Sequence, residues 1–199
     1  MRLAIAVPAL SNVPAVFAND LAMLYAETSR AIPQTTLAMM VGTFVHQARE
    51  KLLHDMTKLW CATHILWLDA DMTFPSDTAL RLLNHEKDVV AANYITRVPP
   101  GRPTARKDGK CVSSAEATGL ESVDHVGMGV FLMKTSVVKD IPRPRFWYST
   151  ETETEDVYFC RQLRKAGYEI LIDHDLSRSV GHIGQCTFRE QAASEVTHA

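Results

Sequence analysis

The chain has 199 residues, the length of a single domain. With 46% hydrophobic and 22% charged residues it has the mix of an ordinary soluble globular protein, and such a chain buries roughly 70% of its unfolded surface without disulfide or metal. Lys and Arg number 21 against 23 Asp and Glu, and this net charge of −2 excludes a generally basic nucleic-acid coat and a polyacidic tail.

The cysteines at 61, 111, 160 and 186 show no Cys-x-x-Cys pairing, which reads as reduced thiols in a reducing, cytoplasmic compartment. No apolar run approaches the ~18 residues that a membrane helix needs. The N-terminus imitates a secretion signal, with Arg2, the apolar stretch Leu3 to Leu10 and then Val16-Phe17-Ala18. Pro8 and Pro14 interrupt it and its basic region is one residue, so a buried first strand is the better account.

In chain order, Leu3 to Val7 is a continuously apolar run ended by Pro8, as expected of a strand buried on both faces. Val16, Phe17, Leu21, Leu24 and Tyr25 recur at helical spacing as far as about Ala31. Residues 36–41 read as a strand with Gly42 as its turn, and Phe44, Ala48, Leu52, Met56 and Leu59 give a second amphipathic helix. His64 to Leu68 is the strongest strand; Ser76 caps a short helix through Leu83, and Asp88 to Ala92 is another strand. This alternation predicts an α/β fold with a mostly parallel central sheet and helices on both faces.

After Asn93 the pattern changes. Residues 96–110 carry three Pro, two Gly and five basic residues, and read as a loop. Val126 to Met133 is an apolar run containing Gly127 and Gly129, Thr152 to Ala166 a helix ended by Gly167, Glu169 to Ile172 a strand, and Ser179 to Gly184 a strand flanked by glycines. A smaller antiparallel part is expected in this half. One domain is thus expected over 1–187, in halves 1–93 and 94–187, with a tail over 188–199.

Three segments carry chemistry. Asp69-Ala70-Asp71 comes directly after the strongest strand, and ligands of open α/β sheets bind beyond the carboxyl ends of strands. Two hard oxygen donors suit Mg²⁺ or Mn²⁺, above all when a phosphate completes the shell; a solvated, capping turn is the bland alternative. Glu151, Glu153, Glu155 and Asp156 open a helix, where Thr152 with Glu155 fits a capping box and acids stabilise the helix start by ~0.3–1 kcal/mol each. His182 sits between Gly181 and Gly184, residues that permit close backbone approach to a ligand. A His182-Cys186 zinc pair is a weaker reading, because no second pair completes the site. The basic loop with Arg97, Arg102, Arg106, Lys107 and Lys110 is either a solvated surface or an anion-attracting patch. Trp60 and Trp67 read as core, whereas Trp147, beside Arg145 and Tyr148, is free to stack on a sugar.

Thr63 to Pro75, containing Asp69-Ala70-Asp71, resembles the metal- and donor-binding segment of GT-A-fold glycosyltransferases, and the ordered set of segments extends that resemblance over most of residues 3–185. Val126 to Met133 is similar to their acceptor-side strand, and Thr154 to Cys160 followed by Val180-Gly181-His182 continues the order. The size is similar to that of the small, family-2-like enzymes of bacteriophages and bacteria, whose setting is the cytoplasm, or the host's cytoplasm for a phage protein.

The resemblance implies transfer of a sugar from a UDP- or GDP-sugar to a glycan, protein or modified-DNA hydroxyl, with Mn²⁺ or Mg²⁺ as cofactor. It implies Asp156 as the general base of an inverting reaction, supported by Glu155, and Asp71 with His182 on the metal, with Asp69 nearer the ribose or a metal-bound water. Pro8, Ala9, Arg49, Asp69, Ala70 and Asp71 are then donor-binding, and Arg97, Gly127, Met128, Gly129 and Trp147 acceptor-binding. The first strand lacks the acid that often comes after it to hold the base, and no Gln-x-x-Arg-Trp motif of processive synthases appears.

Two other classes compete. Asp69 to Thr73 also fits the Asp-x-Asp-x-Thr signature of haloacid-dehalogenase-type phosphatases, although that motif belongs on a first strand and Ile172 to Asp175 matches the second motif only loosely. A non-catalytic sugar- or nucleotide-binding domain of the same fold is the third reading.

Overall fold

Leu3–Ala9 (β1) is buried at all seven residues, because its side chains alternate between two cores. Ala4 and Ala6 enter one; Leu3, Ile5 and Val7 enter the other. The computed structural model describes residues 1–97, 100–148 and 153–184. Glu151 and Thr152, with the capping box expected there, Cys186 and the tail expected over 188–199 lie outside the described residues.

The remaining strands are β2 (Thr35–Val41), β3 (His64–Leu68), β4 (Met72–Thr73), β5 (Val89–Ala91), β6 (Arg106–Lys107), β7 (Lys110–Cys111), β8 (Leu120–Val123), β9 (Val130–Lys134), β10 (Ile170–Asp173) and β11 (Gly181–His182). The helices are α1 (Ala15–Ala31), α2 (Val45–His54), α3 (Thr78–Asn84), α4 (Glu155–Lys165) and α5 (His174–Ser177). A seven-stranded sheet has the order β2-β1-β3-β9-β5-β10-β8. Five strands run one way, and only β9 and β8 oppose them. The architecture is therefore the expected α/β one, a mostly parallel sheet with helices on both faces.

One core joins the sheet to α2 through Leu52 and Leu53 and to α4 through Phe159, Cys160 and Leu163. The other joins it to α1 through Phe17, Leu21 and Leu24 and to α3 through Ala79 and Leu82. Each large apolar side chain so buried contributes about 1.5–3 kcal/mol.

Four details differ from the sequence reading. Phe44 is the residue before α2 and is 72% exposed rather than a core position. Leu59 is 75% exposed, because α2 gives way to a π-helical turn at Asp55–Leu59 that rotates it outward. Asp77, not Ser76, precedes α3. Within the loop 96–110, β6 and β7 form a hairpin whose turn, Asp108-Gly109, takes positive φ at both residues (51° and 73°), the geometry that Asp-Gly favours.

The strand order positions the site. From β1 the chain moves outward to β2, then returns across β1 to β3, so the order reverses between β1 and β3. Connecting segments diverge there and leave a crevice at the carboxyl ends of those strands. The antiparallel β9 lies in the middle of the sheet, between β3 and β5, so residues 130–134 back the strand that carries Asp69.

Candidate functional site

The crevice is a cavity of ≈ 840 Å³ lined by Pro8 to Asn12 at and after the end of β1, by Thr43 and Phe44 beyond β2, by Asp69, Ala70 and Asp71 beyond β3, and by Arg97 and Tyr148. The volume is that of a site for a small organic ligand.

Asp71 and His182, 111 residues apart in sequence, meet because β4 pairs with β11 in antiparallel register, Gly181 opposite Thr73 and His182 opposite Met72. Ile183 N–H adds a 2.7 Å hydrogen bond to the Asp71 carbonyl. Glycine is needed at 181, since a Cβ there would stand 2.5 Å from Thr73 Oγ1. His182 Nε2 lies 3.3 Å from Asp71 Oδ2, and Nδ1 lies 3.0 Å from the Ile95 carbonyl. A carbonyl only accepts, so Nδ1 carries a proton and Nε2 is turned to the carboxylate.

Arg97 Nη1 is 2.5 Å from the same Asp71 oxygen. Burial pushes the Asp71 carboxyl up, but the His182 hydrogen bond and charge and the Arg97 guanidinium outweigh it and hold the group below its ordinary value. The Asp71 hydrogen bond in turn raises His182 against the opposing effect of burial.

Asp69 is held differently. Arg49, on α2 and 1% exposed, donates from Nη2 to Asp69 Oδ1 at 2.8 Å and from Nε to Glu155 Oε1 at 3.4 Å, while its guanidinium lies 5.6 Å from the Trp67 ring. Burial raises the carboxyls of both Asp69 and Glu155, and Arg49 opposes that rise. Arg49 Nη1 is buried without a hydrogen-bond partner among the described residues. The arginine expected to face a nucleotide thus ties two carboxylates together, and Ala48 beside it lines the cavity instead.

Asp156 is the second residue of α4. Its Oδ1 accepts from Thr154 Oγ1 and, at 2.8 Å, from Val157 N–H; Oδ2 has no hydrogen-bond partner among the described residues. Thr154 is the residue that precedes this helix. Asp156 lies within electrostatic reach of Arg49, Asp69 and Tyr94, so the two acidic segments converge.

The glycine segment stands behind this cluster. Met128 is fully buried, and none of Gly127, Met128 and Gly129 lines the cavity. A Cβ at Gly127 would lie 2.3 Å from Tyr94 Oη; at Gly129 one would lie 2.8 Å from Met72 Sδ. Gly129 N–H donates to Tyr94 Oη at 3.2 Å, and the Tyr94 ring meets the His182 ring edge-on at 5.2 Å. Tyr94 was not singled out by sequence; the paired glycines were its signal.

A second unanticipated feature is an aromatic group at the mouth. His46 stacks on Phe44 (5.9 Å) and meets Trp147 (5.8 Å) and Tyr148 (5.1 Å) edge-on. Trp147 is 49% exposed. The Tyr148 hydroxyl is pushed up to about 12, by burial and then by the charge and hydrogen bond of Glu155.

Among the described residues no group of three or more His, Cys, Asp or Glu side chains is placed to hold a metal; Asp71 and His182 form a pair. No described helix is long and apolar enough to cross a membrane.

No protein-family model and no curated protein matches this sequence. Solved structures do match its fold. A197 from STIV superposes with a TM-score of 0.62 at 16% identity, over 95% of this chain and 97% of that one. GalNAc-T7 with UDP, GalNAc and Mn²⁺ gives 0.60 at 10% identity, over 94% of this chain and 45% of that one. S. aureus TarS 1–349 with UDP-GlcNAc gives 0.53 at 13% identity, over 97% of this chain and 61% of that one. The chain therefore spans less than two thirds of the last two. At these identities the likeness is one of fold, and that fold is GT-A-like.

Proposed function

We propose that the chain is a glycosyltransferase that moves a sugar from a nucleotide-sugar to an acceptor hydroxyl with inversion. The observation that carries this reading is the β4–β11 pairing, which sets His182 beside Asp71, a residue of the cavity wall at the switch in strand order. Two fold neighbours solved with UDP or UDP-GlcNAc support the donor class.

Asp71 and His182 fit a divalent cation. One carboxylate oxygen and one imidazole nitrogen face each other, the Ile95 carbonyl fixes the far side of the ring, and a diphosphate with water would complete the shell. Asp71 and His182 would hold Mn²⁺ or Mg²⁺, and the chemistry such a cation would supply is to offset charge on a departing diphosphate. Asp69, tied to Arg49, is left to the ribose or a metal-bound water, and Pro8, Ala9 and Ala70 line the donor's path.

Asp156 Oδ2 accepts the proton of the acceptor hydroxyl, whose oxygen bonds to the anomeric carbon as the bond to the diphosphate breaks and its electron pair leaves with the phosphate. Glu155 and Arg49 orient the group, Trp147 and Arg97 flank the acceptor, and the Gly127–Gly129 segment acts from behind by seating Tyr94 against His182.

The phosphatase reading loses its second motif. Asp173 Oδ1 caps α5 and Oδ2 binds His85, and Asp175 accepts from Gly119 N–H, so those acids are spent on structure.

The test is release of nucleoside diphosphate from a panel of UDP- and GDP-sugars with Mn²⁺, with product mass read by spectrometry. We expect transfer that EDTA stops and that Asp156→Asn lowers about 10²–10⁴-fold. Undiminished turnover in Asp156→Asn removes the base assignment, and indifference to EDTA removes the cation.

A further inference from the structure

A second cavity, of ≈ 570 Å³, lies at the opposite end of the sheet, at the start of β3 and the end of β9. Along β3, roughly 17 Å of strand separates His64 from the Asp-x-Asp end, so no small ligand reaches both. Its charged lining is all of one sign: Lys58, Lys134, Lys139 and Arg145, with His64 and the hydroxyls of Thr63, Thr135 and Ser136 between them, and no carboxylate. In a chain with a net charge of −2, such a concave basic surface is not a consequence of composition.

Neighbouring acids compensate part of that charge, Asp88 at Lys134 and Glu50 through its attraction for the Arg145 guanidinium. Asp88 Oδ1 takes Lys134 at 3.0 Å, and Glu50 accepts from the backbone N–H groups of Arg145 and Phe146. Asp55 is engaged by Lys51, and Asp140 by the Tyr168 hydroxyl. Lys58 and Lys139 have no hydrogen-bond or ion-pair partner among the described residues, and Arg145 Nε is buried without one although Nη2 reaches the Val138 carbonyl at 3.2 Å. An orphaned guanidinium N–H beside free ammonium groups is a donor set waiting for an anion.

We propose that this basic cavity is a second ligand site, separate from the acidic crevice, that binds an oligophosphate, a ligand presenting two or more adjacent phosphate groups. Several cations spread over a cavity of this size suit a chain of charges better than a single monoanion. Guanidinium and ammonium groups with adjacent hydroxyls are phosphate-binding chemistry. The surroundings of His64 agree: burial, then the Lys134 ammonium and the chain's amino terminus, lower its imidazole, so the cavity already repels a further proton.

The proposal is independent of the transferase reading. Its test titrates the full chain with inorganic tripolyphosphate, and in parallel with a nucleoside triphosphate, by calorimetry in EDTA at physiological salt, where diffuse attraction is screened beyond about 8 Å. Lys58→Glu/Lys139→Glu changes two exposed side chains and leaves the fold unburdened. It is expected to weaken tripolyphosphate binding at least tenfold, whereas Arg97→Ala at the other pole leaves it unchanged. Saturating tripolyphosphate is expected to raise the His64 titration midpoint followed by NMR. Equal binding in both arms assigns recognition to the phosphates alone; tighter nucleotide binding that is still lost in the double variant assigns it to a phosphorylated ligand. Absence of binding, a double variant within twofold of the parent, a loss caused by Arg97→Ala, or an unmoved His64 midpoint overturns the proposal.

Discussion

β3 and β10 run in the same direction, and each ends in Asp-x-Asp, Asp69-Ala70-Asp71 on one and Asp173-His174-Asp175 on the other. After β10 the chain turns at once into α5. Asp173 Oδ1 accepts from Leu176 N–H (2.9 Å), Oδ2 binds His85 Nε2 (2.9 Å), and Asp175 is taken by Gly119 N–H (2.8 Å) and Arg178. After β3 the chain turns at Ala70-Asp71, where Met72 N–H donates to the Asp69 carbonyl, and enters the short strand β4; the Asp71 carboxylate is met by the side chains of Arg97 and His182. The next element along the chain makes the difference: a helix start supplies backbone N–H groups that consume carboxylate oxygens, whereas a short strand does not.

The largest expected effect falls on the charge beneath the first pair. Arg49→Met strands Asp69 and Glu155 in the interior without their shared cation, at a cost of about 3–5 kcal/mol by denaturant unfolding. Their folded-state carboxyls are already raised by burial and rise further in the variant. The penalty is therefore greatest at neutral pH and recedes as pH falls through those raised values. A loss that does not depend on pH would show that Arg49 acts by packing on Trp67 alone.

A crossed pair of substitutions comes next. Asp173→Ala removes a helix cap and the partner of His85, so stability falls by about 1–2 kcal/mol while transfer by the folded protein is unchanged. Asp71→Ala costs under about 1 kcal/mol, because its pairs are partly exposed, yet abolishes transfer. Equal activity losses in the two variants would erase the distinction between the motifs.

Arg97→Ala is subtler. Arg97 and a divalent cation compete for one Asp71 oxygen, so its removal tightens Mn²⁺ binding in calorimetry without nucleotide, by about tenfold or less. The same change weakens nucleoside diphosphate binding if the displaced guanidinium turns to phosphate. Unaltered Mn²⁺ affinity would mean that the two do not share the oxygen.

Sequence disclosed the first half of the molecule better than the second. Continuous apolar runs such as Leu3 to Val7 and Ile65 to Leu68 fill a doubly covered sheet and have no other stable use. β8 left no such trace, since only Val123 of its four residues is buried. The place of β9 between β3 and β5 depends on Gly127 and Gly129 passing Tyr94, a contact between distant segments that periodicity does not encode. Asp69, Asp71, Asp156 and His182 were each visible as residue types. The inward role of Arg49 was not, because its two acids lie 20 and 106 residues away. The aromatic mouth was hidden for a local reason: Phe44 fits the helical pattern of α2 but precedes its first turn.

The smallest effect probes the closed motif at acid pH. Gly119 N–H, then Arg178, hold the Asp175 carboxyl below its ordinary value of 3.8, and only slight burial opposes them. A depressed carboxyl contributes stability that is present above its unfolded value and is lost as pH falls through the folded one. Stability curves of the parent and Asp175→Asn, taken by urea unfolding from about pH 5 to about pH 2, should therefore be separated at the upper end and converge as pH falls through the depressed folded value. The group is exposed to water and the gap is small, so convergence rather than size is the readout. Parallel curves would mean that the Asp175 charge does nothing for α5 and the 114–119 loop, and that Asp173 alone closes the second motif.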